Sequence, residues 1–104
     1  MLHPLMNNTK WEELRIAMYG LASAPRFYTL SQRGYRYGPD SEWYYHFREG
    51  GYEDIVHVDI LANDPPHREL IRSAIKQIHL PGEETEFGFR IYGYAQPGQA
   101  INYL

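Results

Sequence analysis

Cysteine is absent from this 104-residue chain, and several kinds of chemistry are excluded with it. Structural disulfides, thiolate metal sites and cysteine nucleophiles all need a thiol. Apolar runs are also short, and none approaches the roughly 18 residues of a membrane span. The N-terminus has no signal-peptide pattern. We therefore expect a cytoplasmic protein with no membrane partner, in which residues 1–6 could form a frayed leader and Met6 could be the true start.

Recognisable catalytic motifs are lacking as well. The chain contains no Gly-x-Ser-x-Gly elbow and no His-Glu-x-x-His run, and Gly88 and Gly93 lie too far apart for a dinucleotide fingerprint. The sequence thus predicts no cofactor, and it does not identify a reaction that the protein would catalyse. Enzymatic function stays open, with a binding protein favoured over an enzyme.

The length and composition indicate one globular domain spanning residues 1–104. Hydrophobic residues make up 43% of the chain and charged residues 22%, which is far from the composition of a disordered segment. Alternating helical and strand patterns along the chain predict an α+β fold. It should contain one antiparallel-rich sheet of about five strands, with two helices packed on one side.

Two helices can be predicted with their boundaries. Thr9 and Glu12 have the spacing of a capping box, so the first helix should begin there and end at Gly20. Asp64 is placed to cap the second helix, with Pro65 in the first turn, and this helix should stop near residues 80–82. Further strands are expected at residues 26–30, 87–94 and 100–104, with Phe87, Phe89 and Ile91 pointing inward.

A β-hairpin is predicted around Gly50-Gly51, with residues 42–48 and 52–61 as its strands. The hydrophobic pattern selects a two-residue loop. That register puts one set of side chains on the core face: Trp43, Tyr45, Phe47, Val56 and Val58.

The other face of this hairpin supplies the candidate site. Its side chains can form hydrogen bonds or titrate near neutral pH, as binding and acid–base chemistry require. The candidate binding residues are Glu42, Tyr44, His46, Arg48, His57 and Asp59. An ordinary solvated sheet face is the favoured interpretation, and the residues have no recognised metal-ligand spacing.

Charge is distributed unevenly. The net charge of −3 argues against a dedicated nucleic-acid binder, yet residues 15–39 contain no acidic side chain. The arginines of this stretch are Arg15, Arg26, Arg33 and Arg36. If Arg90, Tyr92 and Tyr94 share a surface with Arg33–Tyr37, a platform for single-stranded nucleic acid becomes an alternative.

Tyrosine is the compositional outlier, with ten tyrosines beside four phenylalanines and two tryptophans. A core this small cannot bury all of these rings, so several should reach the surface, as they do at protein interfaces. The leading hypothesis is therefore a module that binds a protein partner, of inhibitor or immunity type, or that forms a homo-oligomer. A small-ligand binder or enzyme using Tyr44, His46, His57 and Asp59 is the alternative.

Four segments also carry a resemblance to a known family: Asn8–Trp11, Glu42–Phe47, Gly50–Tyr52 and Phe89–Tyr94. In these segments the chain resembles a family of small bacterial proteins of unknown function. The resemblance spans most of the chain. It implies a bacterial origin and no particular activity.

Overall fold

The structure, a computed structural model, describes residues 2–48 and 51–104. Its elements in chain order are β1 (His3–Pro4), α1 (Asn8–Tyr19), β2 (Arg26–Ser31), β3 (Arg36–Asp40), β4 (Ile55–Leu61), α2 (Pro65–Ile78), β5 (Gly82–Glu84), β6 (Gly88–Tyr92) and β7 (Tyr94–Ala95). Five strands form an antiparallel sheet in the order β3-β2-β4-β6-β5, and β1 pairs with β7 in a small second sheet. The predicted α+β class is confirmed.

The two helices begin at side-chain caps. Asp64 caps α2 as predicted, because its carboxylate accepts a hydrogen bond of 2.9 Å from the amide of His67. The predicted cap of α1 is wrong by two residues. Asn7, and not Thr9, is the N-cap, and its side-chain oxygen accepts from the amide of Lys10 at 2.8 Å.

A single core fills the space between the helices and one face of the sheet. Strand register places Phe27, Ile60 and Phe89 side by side on that face, and Val58 beside Ile91. These side chains form one buried cluster with residues from both helices. The helical members are Trp11, Leu14, Met18, Ile71, Ile75 and Ile78. Because all of these helical residues join one face, no helix among the described residues packs on the opposite face of the sheet.

The predicted hairpin strand at residues 42–48 is wrong. Trp43–Tyr45 forms a turn and His46–Arg48 a 3-10 helix, while β4 pairs with β2 and β6 instead. The physical cause is local, since both carboxylate oxygens of Glu42 accept hydrogen bonds from the amides that follow it, at 2.9–3.1 Å. The turn and the 3-10 helix bury Trp43 and Phe47, respectively, and leave Tyr45 67% exposed. The turn predicted at Gly50-Gly51 includes Gly50, which lies outside the described residues.

Two further expectations near the C-terminus are wrong. Phe87 does not point inward but is 67% exposed, because β6 starts one residue later, at Gly88. Residues 100–104 form no strand and contribute only a bridge between Tyr103 and Pro81. In the described part of the chain, no helix is long and apolar enough to cross a membrane.

Candidate functional site

The uncovered face of the sheet carries the candidate site. In β4 the residues that alternate with Val58 and Ile60 are His57, Asp59 and Leu61, so these side chains point away from the helices. Register aligns three cross-strand rows on this face. The rows are Arg26, Leu61 and Gly88; Tyr28, Asp59, Arg90 and Glu83; and Leu30, His57 and Tyr92.

A groove of about 530 Å³ runs over this face. Its lining consists of Arg26, Tyr28, Arg36, Asp59, Leu61, Ala62, Thr85, Phe87 and Arg90. We call it the arginine groove. Among these lining residues there are three guanidinium groups and one carboxylate, so the groove has an excess of positive charge within a chain whose net charge is −3.

The single carboxylate of the groove is already paired. Arg90 donates two hydrogen bonds to Asp59, from Nε to Oδ1 at 2.7 Å and from Nη2 to Oδ2 at 3.1 Å. This bidentate geometry is the strong form of the ion pair, and the bond to Asp59 raises the pKa of Arg90, although burial opposes the shift. The charge of Asp59 is therefore compensated mainly by Arg90, which leaves little of it to neutralise the other two arginines of the groove.

The other two arginines of the groove are less engaged. Arg36 lies 3.9 Å from Asp59, at the limit of an ion pair, and its guanidinium stacks 4.1 Å over the ring of Tyr28. Arg26 is exposed and makes no ion pair within residues 2–48 and 51–104. Two guanidinium groups thus remain available to an anion entering the groove.

His57 lies beside this charged network, in a small hollow that continues from the groove along Tyr28, Arg36, Asp59 and Arg90. Burial lowers the pKa of His57, and the positive charges of Arg90 and Arg36 lower it further, while Asp59 acts in the opposite direction. Its Nδ1 is buried, lies 4.0 Å from Oδ1 of Asp59 and has no hydrogen-bond partner in the described residues. The ring is therefore neutral at pH 7.

This lowered pKa gives the fold an acid sensitivity. A histidine with a depressed folded pKa binds protons more weakly than in the unfolded chain, so its stabilising effect is present above about pH 6.5 and decreases as the pH falls below it. We expect His57→Gln to reduce the loss of stability between pH 7 and pH 5, measured by urea unfolding. His3→Gln, on exposed β1, should keep the wild-type loss. An undiminished loss in His57→Gln would contradict this assignment.

The six residues proposed from sequence do not share one surface. His57 and Asp59 lie at the arginine groove, whereas Tyr44, His46 and Arg48 belong to the turn and 3-10 helix that replaced the predicted strand, and Glu42 directly precedes that turn. The two-residue loop predicted for the hairpin would set Tyr44 opposite His57, but the cross-strand partners of His57 are Leu30 and Tyr92. Of Arg48, only its place in the 3-10 helix is described.

His46 takes part in a separate cluster. Its Nδ1 lies 2.9 Å from Oδ2 of Asp40, which also accepts the hydroxyl of Tyr37. Burial opposes ionisation of Asp40, but the bonds from Tyr37, the Glu42 amide and His46 lower its pKa. Tyr37 and His46 line a second hollow of about 300 Å³. These groups bond to one another, so the cluster works as a link between β3 and the 3-10 helix.

Arg26, Tyr28 and Phe87 were not among the candidates proposed from sequence. The absence of acidic residues from 15 to 39 was the available signal, since two of its four arginines, Arg26 and Arg36, line the groove. Arg36 and Arg90 do share a surface, as the nucleic-acid alternative required. Tyr35 and Tyr37 instead line the second hollow, and the Tyr94 hydroxyl donates to the carbonyl of Glu53.

The arrangement can hold an anion but offers no metal site in the region described. No three His, Cys, Asp or Glu side chains come together within residues 2–48 and 51–104.

Comparison with curated proteins and with solved structures gave no match. A protein-family model matches residues 1–98, which is nearly the whole chain. The chain therefore belongs to DUF6678, a family of unknown function.

Proposed function

We propose that this protein binds a small anionic ligand, through a phosphate or carboxylate group, in the arginine groove. The observation that carries the proposal is the charge of the groove. Asp59 is the one carboxylate among the described lining residues, and Arg90 holds it at 2.7 Å and 3.1 Å, so Arg26 and Arg36 remain to receive an anion.

Size and placement support the same function. Small-molecule sites usually have volumes of about 300–1,000 Å³, with a few convergent polar groups on an apolar lining. The groove falls within that range and combines its arginines with Leu61, Ala62 and Phe87. The three arginines stand on strands β2, β3 and β6 of a packed sheet, which fixes the spacing of their Cα atoms.

The experiment is a titration of the ¹⁵N-labelled chain with inorganic phosphate at constant ionic strength. We expect saturable changes in the amide signals of β2, β4 and β6 that reach a plateau. Weak, non-saturating changes spread over the whole surface would overturn the proposal, because they indicate screening of charges without a site.

We propose association with a protein as a second function, supported by a different surface. Tyr19, Tyr44 and Tyr45 form a tyrosine patch, with ring centroids 5.5 Å apart for the first pair and 4.8 Å for the second. All three rings are exposed, by 58%, 44% and 67%. An inhibitor or immunity role would use such a surface, and so would a homo-oligomer.

A second copy of the chain is the partner that can be tested directly. We expect sedimentation velocity to show a concentration-dependent dimer, and Tyr19→Ser with Tyr45→Ser to shift it to monomer. Tyr35→Ser removes an equally exposed ring outside the patch and should leave the dimer intact. A wild-type chain that remains monomeric at millimolar concentration would reject self-association through the patch.

A further inference from the structure

We infer that the arginine groove takes a single nucleotide, with the phosphate on Arg26 and Arg36 and the base on Phe87. This inference rests on the proposed anion-binding function and adds the ligand class. The observations that carry it are the apolar residues that line the groove together with the arginines and the acidic side chains on the β5 side of the sheet.

Phe87 is the residue that points to a planar ligand. It is one of the most exposed large hydrophobic side chains of the described residues, at 67%, and it lines the same groove as the three arginines. Leu61 and Ala62 line the groove with it. An exposed aromatic ring beside guanidinium groups is the combination on which a base stacks while its phosphate is neutralised.

Backbone contacts hold Phe87 beside the groove. The amide of Ala62 donates to the carbonyl of Phe87 at 2.8 Å, and Gly88 pairs with Leu61 in the sheet. A side chain at Gly88 would meet the carbonyl oxygen of Ile60 at 1.9 Å, so glycine allows the close approach of the two strands. The backbone of Phe87, in the bend before β6, is thus held against the end of β4 by the hydrogen bond from Ala62.

The acidic side chains favour one nucleotide over a strand. Glu83 lies opposite Arg90 on β5, and Glu86 precedes Phe87 in the chain. Further phosphates extending toward β5 would meet these carboxylates, and the net charge of −3 opposes binding of a polyanion. A single phosphate placed between Arg26 and Arg36 avoids both.

The test compares three probes by calorimetry at one ionic strength: inorganic phosphate, adenosine 5′-monophosphate and a short oligoadenylate. We expect the nucleotide to bind about 10-fold more tightly than phosphate, because stacking on an aromatic ring contributes on the order of 1–3 kcal/mol per base, which corresponds to roughly 5- to 150-fold. The oligonucleotide should bind no more tightly per nucleotide.

Phe87→Ser should bring the nucleotide down to the affinity of phosphate while leaving phosphate binding unchanged. Tyr35→Ser removes a ring that is equally exposed, at 67%, but lies outside both the groove and the tyrosine patch, and it should change neither affinity. Equal affinities of nucleotide and phosphate in the wild type would overturn the inference that a base stacks on Phe87. That result would still agree with anion binding in the groove. Binding of neither probe would overturn both, and much tighter binding of the oligonucleotide would overturn the choice of a single nucleotide.

Discussion

Replacing Arg26 and Arg36 together by glutamine should weaken phosphate binding by at least about 10-fold, because each hydrogen bond to a charged group contributes on the order of 1.5–3 kcal/mol. Both side chains line the groove, and neither has a strong carboxylate partner among the described residues. The affinity can be measured by following the amide titration of the double variant.

The fold should tolerate this double change. Arg26 is exposed, and the side chain of Arg36 is 56% exposed, with only a 3.9 Å contact to Asp59 and its stacking on Tyr28 to lose. Arg33→Gln with Lys76→Gln serves as the matched control, since it removes the same charge at exposed positions outside the groove. An equal loss of phosphate affinity in the control variant would show that net charge, and not the groove, governs binding.

Trp43→Ala should destabilise the fold by about 3–5 kcal/mol, which is the usual cost of removing a fully buried tryptophan. The ring is 0% exposed and packs against Phe27 and Phe47 at centroid distances of 4.5 Å and 4.7 Å. Its Nε1 donates to the carbonyl of Pro25 at 2.8 Å, so the substitution also leaves a buried acceptor without its donor.

Urea unfolding of the purified chain measures this effect. Tyr45→Ala is the control, because Tyr45 lies two residues away and is 67% exposed. The hairpin predicted from sequence would bury both rings on one face, and it would make the two substitutions similarly costly. A small effect for Tyr45→Ala and a large one for Trp43→Ala supports the turn at residues 43–45. Similar large effects would support the hairpin.

The sequence predicted those elements whose patterns are local. The second helix has its cap at Asp64 and Pro65 in its first turn, and both act through residues a few positions away. Strand β2 also follows from its own composition. The short strands β3 and β5 offered little periodicity, since each contains glycine and only three to five residues.

Residues 42–48 show why a convincing pattern failed. Trp43 and Phe47 are four residues apart, a spacing that suits one face of a helical turn as well as alternate positions of a strand. The deciding interactions are hydrogen bonds from the backbone amides of residues 44–46 to the Glu42 carboxylate. The spacing of hydrophobic residues carries no information about such bonds. The candidate site inherited this error, because its six residues were assembled on the predicted hairpin.

The arginine groove could be recognised only from the three-dimensional structure. Arg26, Arg36 and Arg90 come from three different strands, and sheet order β3-β2-β4-β6-β5 brings those strands together across β4. No local sequence pattern predicts that strand order. The exposure of Phe87 depends in turn on β6 starting at Gly88, because Phe87 then lies in the bend before the strand and the inward alternation of Phe89 and Ile91 does not extend to it.

The central claim is that Arg26 and Arg36 hold an anion in the groove. The Nε–Hε signals of individual arginine side chains, followed by NMR during addition of inorganic phosphate at constant ionic strength, test it most directly. We predict saturable shifts for Arg26 and Arg36 with one shared dissociation constant, while Arg33, which lies outside the groove, does not move. Equal and non-saturating shifts of all three arginines would contradict it.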